Sequence, residues 1–123
     1  MRVKWLDRTM LLGPYLTLCL SEEEYRTATR KLEGETPDGT WLSDHATAQV
    51  HTFSCPGKGP VCVVCVRPDM YALEASLLFG HEALHIFRRW MEYLGEASPG
   101  EEIEAHSIKS IAVSLVEEYE RRR

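Results

Sequence analysis

Residues 77–87 read Leu-Leu-Phe-Gly-His-Glu-Ala-Leu-His-Ile-Phe and contain the pattern His81-Glu82-x-x-His85. On an α-helix, positions i and i+4 lie one turn apart on the same face. Two imidazoles at this spacing can therefore bind one Zn²⁺, at about 2.0–2.1 Å each. Glu82 follows the first histidine and is placed to act as a general base on a metal-activated water. The apolar residues on both sides predict a buried helix that shields the site.

The same residues also have an interpretation without a metal. Two histidines and a glutamate on an amphipathic helix can pair with other side chains by chance. That arrangement would leave several polar groups on a mostly apolar segment without an evident partner, which costs free energy. We therefore favour the metal site, and a measurement of metal content separates the two interpretations.

The bulk properties of the chain limit the possible classes of protein. Its 123 residues predict a single domain, residues 1–123, that is large enough to bury a core. With 44% hydrophobic and 27% charged residues, it is not expected to be disordered, collagen-like or a coiled coil. The net charge of −5 argues against a general nucleic-acid binder, which usually presents a basic face.

The N-terminal region needs a separate interpretation because basic residues precede an apolar run at 10–20. A signal peptide has this order of segments. However, Gly13-Pro14 interrupts the run and no small-x-small cleavage site follows it. No stretch approaches the roughly 20 apolar residues of a membrane span. We therefore predict a cytoplasmic protein with no membrane partner, and secretion is the alternative.

The four cysteines are predicted to be core residues. The spacing Cys62-x-x-Cys65 is found in zinc and redox sites, but residues 61–66 form an apolar run typical of a β-strand. Residues three apart on a strand point to opposite faces, and no second pair of this spacing completes a four-cysteine site. Cysteines in a reducing cytoplasm commonly serve as small buried hydrophobic residues. The four residues concerned are Cys19, Cys55, Cys62 and Cys65.

Periodicity and turn residues predict three helices and three strands. Ser21, Asp69 and Ser98 are the predicted N-caps of the three helices. The predicted helices end near residues 32–33, Leu94 and Glu120, and the predicted strands cover 15–20, 47–53 and 61–66. The last two strands read as an antiparallel hairpin. The expected fold class is α+β, in which a small antiparallel sheet packs on the long motif helix and an antiparallel C-terminal helix.

A zinc ion held by two histidines needs a third protein ligand and an open position for water. Glu104 lies at the edge of the apolar face of the last helix, seven residues before Ile111. A carboxylate near the core is costly unless a partner compensates its charge. Because the turn at 95–98 is short, the two helices should pack antiparallel, with His85 and Glu104 at similar depths. Glu104 is therefore the predicted third ligand.

The sequence leaves alternatives for the third zinc ligand. Glu101 and His106 are the alternative third ligands. If the last helix is slightly rotated, Glu104 is instead a surface carboxylate or forms an ion pair with Arg88 or Arg89.

The combination of His81-Glu82-x-x-His85 with Glu104-Ala105 resembles the gluzincin group of zinc peptidases, in which a glutamate on the next helix is the third ligand. Residues 77–123 are similar to small HExxH metallopeptidase-like proteins of phages and prophages, and more loosely to metallopeptidase domains of the ImmA/IrrE type. The resemblance implies a zincin-like domain that binds Zn²⁺ through His81, His85 and Glu104, with Glu82 as the catalytic base. His106 and Ser107 depart from the acidic or asparagine residues that often follow, so the residue that orients a histidine ligand stays unassigned.

The expected activity is a zinc metallopeptidase that hydrolyses peptide bonds of a peptide or protein substrate. We expect the predicted hairpin to offer a sheet edge that holds an extended substrate by β-addition. Five residues are candidate hydrogen-bond donors to the oxyanion: His45, His51, Tyr71, Tyr93 and His106. The alternative is a zinc-containing protein-binding or inhibitory module of phage type on the same scaffold, without peptidase activity. Glu82 favours the peptidase because a purely structural zinc needs no base.

Overall fold

The computed structural model of the chain describes residues 4–6, 15–30, 32, 41–55 and 59–122, with the backbone alone at 54 and 55. Its elements are β1 (Tyr15–Cys19), α1 (Glu22–Arg30), β2 (Ala48–Cys55), β3 (Gly59–Val66), α2 (Ala72–Leu94) and α3 (Glu101–Arg121). The predicted α+β class is confirmed. In the ranges described, no helix is both long and apolar enough to cross a membrane.

The three strands form a mixed sheet in the order β1-β3-β2. The predicted hairpin is confirmed, since β2 pairs antiparallel with β3 from Ala48 opposite Val66 to Cys55 opposite Gly59. The prediction of an antiparallel sheet is wrong for β1, which pairs parallel with β3. Parallel neighbours require a crossover connection. The helix α1 lies between β1 and β3 in the chain and packs on one face of the sheet, as expected for part of such a connection.

The central strand β3 is buried along its whole length. Successive side chains of a strand point to opposite faces, so Cys62 faces the core formed with α2 and α3, while Cys65 faces the core formed with α1. The predicted separation of these two cysteines is confirmed. Both are buried free thiols, as is Cys19. The sheet is therefore a middle layer, with α2 and α3 on one face and α1 on the other.

The helix ends agree with the sequence prediction in part. Ser21 caps α1, because its Oγ accepts the backbone N–H of Glu24 at 3.2 Å. Gly95 ends α2 with φ 74°, the left-handed conformation expected of a glycine after a helix. The predicted cap at Ser98 is wrong, since α3 begins at Glu101 with Gly100 as N-cap. The backbone N–H of Ser98 instead donates to the Glu96 carboxylate at 3.1 Å.

The predicted start of α2 at Asp69 is also wrong, because the helix begins at Ala72 after Tyr71. The later start of this helix is explained by hydrogen bonds from a tyrosine of α3. The hydroxyl of Tyr119 accepts the backbone N–H of Met70 at 3.0 Å and donates toward the carbonyl oxygens of Pro68 and Met70, at 3.1 and 2.9 Å. These bonds hold residues 68–70 in a turn that precedes the helix.

One face of α2 packs against the sheet and α3, and the opposite face is open to solvent. The buried side chains of α2 include Phe79, Ala83, Ile86, Phe87 and Trp90. They meet Ile111, Leu115 and Tyr119 of α3 in a single core. The motif helix is thus buried along one face only, and His81 and His85 lie on its exposed face.

We expect Tyr119→Phe to lower the free energy of unfolding by about 1–3 kcal/mol. The substitution keeps the buried ring but removes the hydroxyl that bonds the backbone of Met70 and Pro68, and the loss of buried hydrogen bonds has a cost of this order. Urea denaturation followed by circular dichroism measures the change. Tyr93→Phe is the control, because Tyr93 is 56% exposed and a surface change of this kind is worth about 0.5 kcal/mol or less. Equal urea midpoints for both variants would contradict the prediction.

Candidate functional site

The two motif histidines converge on a common point. The Nε2 atoms of His81 and His85 are 3.1 Å apart, and the ring centroids are separated by 4.8 Å. Two nitrogens bound at about 2.0–2.1 Å to one tetrahedral zinc lie roughly 3.3 Å from each other. At 3.1 Å one ring N–H can also donate to the other nitrogen. The pair therefore fits two positions around a zinc ion and is accessible to it from solvent.

Glu82 points away from solvent, toward the sheet. The residue is only 8% exposed. Burial raises the pKa of its carboxyl group, while the nearby His81 and His85 act to lower it. Within the part of the chain that the structure describes, no hydrogen bond or ion pair joins Glu82 to another side chain. A buried carboxylate without such a partner is costly, and functional sites are where such groups are commonly found.

Glu104, the predicted third ligand, is paired with Arg88. Its Oε1 accepts a hydrogen bond from Nη2 of Arg88 at 3.0 Å, and its side chain is 28% exposed. No group of three histidine, cysteine or acidic side chains that could hold a metal occurs among the residues described. The structure therefore brings His81 and His85 together but does not bring Glu104 to them. The ion pair is the alternative arrangement stated above, and the role of Glu104 as a ligand stays a prediction.

The two alternative ligands are both exposed on the first turns of α3. Glu101 lies in the first turn itself. His106 pairs with Glu102 on its own helix, with Nε2 3.7 Å from Oε2. Neither residue is held near the histidine pair by a contact of its side chain.

Two adjoining concavities, here called the two arms of a cleft, lie between α2 and β2, and Glu82 belongs to the lining of both. One arm has a volume of about 400 Å³ and is lined by His85, Arg88 and Arg89 of α2 and by Val50 and Thr52 of β2. The other arm has a volume of about 660 Å³ and is lined by His81, Tyr71, Leu73 and Leu77, with Ala48 opposite. Glu82 lines both arms. Each of the three motif residues therefore lines at least one of the two arms beside the sheet.

The strand that forms the second wall of this cleft is an edge strand. In the sheet order β1-β3-β2, one side of β2 pairs with β3 and the other side pairs with no strand in the ranges described. An extended peptide can add to such an edge through main-chain hydrogen bonds. The sequence did not identify Val50 and Thr52 as cleft residues, because the face that a strand turns to a helix depends on its register.

Two of the five candidate donors to an oxyanion lie in the cleft. His45 and Tyr71 line the same arm as His81 and Glu82. The other three lie elsewhere: the ring of His51 is 4.6 Å from that of Tyr25, Tyr93 stacks on Trp90 with centroids 5.4 Å apart, and His106 pairs with Glu102. His45 and Tyr71 are therefore the two that can reach a molecule bound beside the histidines.

Comparisons with family models, curated proteins and solved structures found no match to this chain. The case for a function therefore rests on the geometry of its own side chains.

Proposed function

We propose that the protein is a zinc-dependent metallopeptidase with a zincin-like fold. The observation that carries this proposal is the convergence of the two Nε2 atoms, 3.1 Å apart, beside the buried carboxylate of Glu82 in a cleft. His81 and His85 would hold the ion, with Glu104 as the third ligand. A bound zinc supplies a Lewis acid that lowers the pKa of water toward about 7.

Glu82 is the proposed general base. Its carboxylate takes a proton from the attacking water and later gives it to the leaving amine. Glu82 lines both arms of the cleft, so it would lie beside a bond of a peptide that occupies both arms. His45 or Tyr71 would donate a hydrogen bond to the oxyanion that forms at the substrate carbonyl.

The proposed substrate is an extended peptide segment. The outer edge of β2, which pairs with no strand among the residues described, would offer main-chain partners beside the cleft, and this suits an extended peptide better than a compact ligand. We also propose that the protein acts in the cytoplasm. The free, buried thiols of Cys19, Cys62 and Cys65 are consistent with a reducing compartment.

The first experiment is a metal analysis of protein purified without chelators, by plasma mass spectrometry. We expect one zinc per chain in the wild type and a loss in His81→Ala and His85→Ala. His106→Ala is the matched control and should keep its zinc, since this histidine is exposed and bonded within α3. A wild-type protein that holds no zinc, even after zinc is supplied, would overturn the proposal.

Arg88→Met is expected to tighten zinc binding by roughly two- to fivefold. If Glu104 is the third ligand, it must leave Arg88 when the ion binds, and an exposed ion pair is worth up to about 1 kcal/mol. Competition with a chromophoric chelator measures the affinity. Arg89→Met is the control, because Arg89 lines the same arm but pairs with Glu92 at 3.3 Å. An unchanged affinity in Arg88→Met would remove Glu104 from the ligand set.

A second candidate is a protein-binding or inhibitory module without peptidase activity. It is favoured by the exposed apolar side chains of Tyr71, Leu73 and Leu77 beside the histidines. The two candidates differ in their need for Glu82. A binding module keeps its function in Glu82→Gln, whereas a peptidase loses it.

A further inference from the structure

Three exposed apolar side chains lie together on one wall of the cleft, at the N-cap and in the first half of α2. Tyr71, Leu73 and Leu77 are 64%, 64% and 69% exposed, and all three line the larger arm. Single exposed apolar residues are ordinary, but several that share one concave surface mark a place where another molecule binds. These side chains contribute little to the core, so their exposure points to a role in the cleft.

The apolar side chains are aligned with the histidine pair. Leu73, Leu77, His81 and His85 follow one another at intervals of four residues, so they form one row along the surface of the helix. Glu82 lies next to this row and also lines the arm. Anything that fills the apolar arm therefore lies directly beside the atoms at which the reaction is proposed.

The two arms differ in chemistry. The smaller arm carries Arg88, Arg89 and Glu92, together with the hydroxyl of Thr52. The larger arm is lined by the leucines and tyrosine above and by Ala46, Ala48 and Leu78. Its polar lining residues are His45, Thr47, Glu74, His81 and Glu82, and among the residues described it is lined by no arginine or lysine. A volume of about 660 Å³ falls in the range of ordinary ligand pockets, which hold groups larger than a single methyl.

We infer that the larger arm receives a large apolar side chain, such as leucine, methionine or phenylalanine, of an extended peptide. This inference rests on the proposed function. The substrate side chain that fills the arm would belong to the residue next to the peptide bond that is cleaved beside Glu82. The proposed occupant is a peptide rather than a second copy of the chain, since Glu82 lines the larger arm and the outer side of β2, the strand opposite, pairs with no strand in the ranges described. Tyr71, Leu73 and Leu77 are therefore specificity-determining residues.

The test uses two synthetic peptides that are identical except for phenylalanine or serine at one central position. Binding of each labelled peptide is measured by fluorescence anisotropy with zinc-supplied Glu82→Gln protein, and cleavage is measured with active protein. We expect Leu77→Ser to weaken binding of the phenylalanine peptide about tenfold and to leave the serine peptide unaffected. Ile103→Ser is the matched control, because Ile103 is an equally exposed apolar residue of α3 that does not line the arm.

The outcomes separate this inference from the proposed function. Cleavage without a preference for phenylalanine, or an unchanged affinity in Leu77→Ser, overturns the inference and leaves the peptidase intact. Binding that depends on Leu77 without any cleavage supports the inference and overturns the peptidase. No binding and no cleavage overturn both. Self-association of the protein that Leu77→Ser abolishes, with peptide binding unchanged, assigns the surface to a second copy and also overturns the inference.

Discussion

Glu82→Gln is expected to reduce the rate of peptide hydrolysis by a factor of roughly 10²–10⁴, the usual contribution of a positioned general base. The amide keeps the shape of the side chain but cannot accept the proton of the attacking water. Because neither histidine is changed, zinc content should equal that of the wild type. The measurement is kcat on a cleaved peptide, with zinc determined in the same preparation.

Glu74→Gln provides the matched control for this result. Glu74 lies two turns earlier on α2 and also lines the cleft, but it is not adjacent to either histidine. We expect its kcat to stay close to the wild-type value. Full activity in Glu82→Gln would assign the hydrolysis to another base or to a contaminating peptidase, and the binding module would become the better explanation.

Gly59→Ala is expected to lower the free energy of unfolding by about 3 kcal/mol, through two separate effects. Gly59 opens β3 with φ 76°, a conformation that costs an L-residue roughly 1–2 kcal/mol. An added Cβ would also lie 2.9 Å from Cε2 of Tyr93 and 3.1 Å from Cζ3 of Trp90. Overpacking of this kind costs about 1–3 kcal/mol. Thermal denaturation should register a decrease in Tm of about 10 °C.

Two other glycines separate these effects. Gly95 has φ 74° but its added Cβ would meet nothing within 4 Å, so Gly95→Ala reports the backbone cost alone. Gly80 lies inside α2 with the same open space, and Gly80→Ala should stabilise the helix by about 0.5–1 kcal/mol. The expected order of stability is Gly80→Ala, wild type, Gly95→Ala, Gly59→Ala. If Gly59→Ala and Gly95→Ala were equally stable, the close contact of the added Cβ with Tyr93 and Trp90 would have no cost in stability.

The local features of this structure were predictable from the sequence because they depend on near neighbours in the chain. The side-by-side placement of His81 and His85 follows from a spacing of four on a helix. The opposite orientation of Cys62 and Cys65 follows from the alternation of a strand. The cap at Ser21 and the helix end at Gly95 follow from the conformational preferences of those residues.

The features that the sequence did not predict depend on distant parts of the chain. The helix α2 begins later than predicted because the hydroxyl of Tyr119, on the other side of the core, bonds the backbone of Met70. No sequence pattern near Asp69 indicates this contact. The parallel pairing of β1 depends on the path of the intervening chain. The partner of Glu104 depends on how α3 packs against α2, which is a contact between residues 16 apart in the chain, and in this structure the partner is Arg88.

The central position of β3 also has a consequence for biosynthesis. During translation β1 leaves the ribosome well before β3, the strand with which it pairs, so this pairing must wait for residues 59–66. The hairpin of β2 and β3 can then form, but the face of β3 that carries Cys62, Val64 and Val66 stays uncovered until α2 and α3 are complete. An apolar β-prone segment in that state is prone to aggregation. The nascent chain is therefore most dependent on chaperones in the interval between the emergence of β3 and the docking of α3.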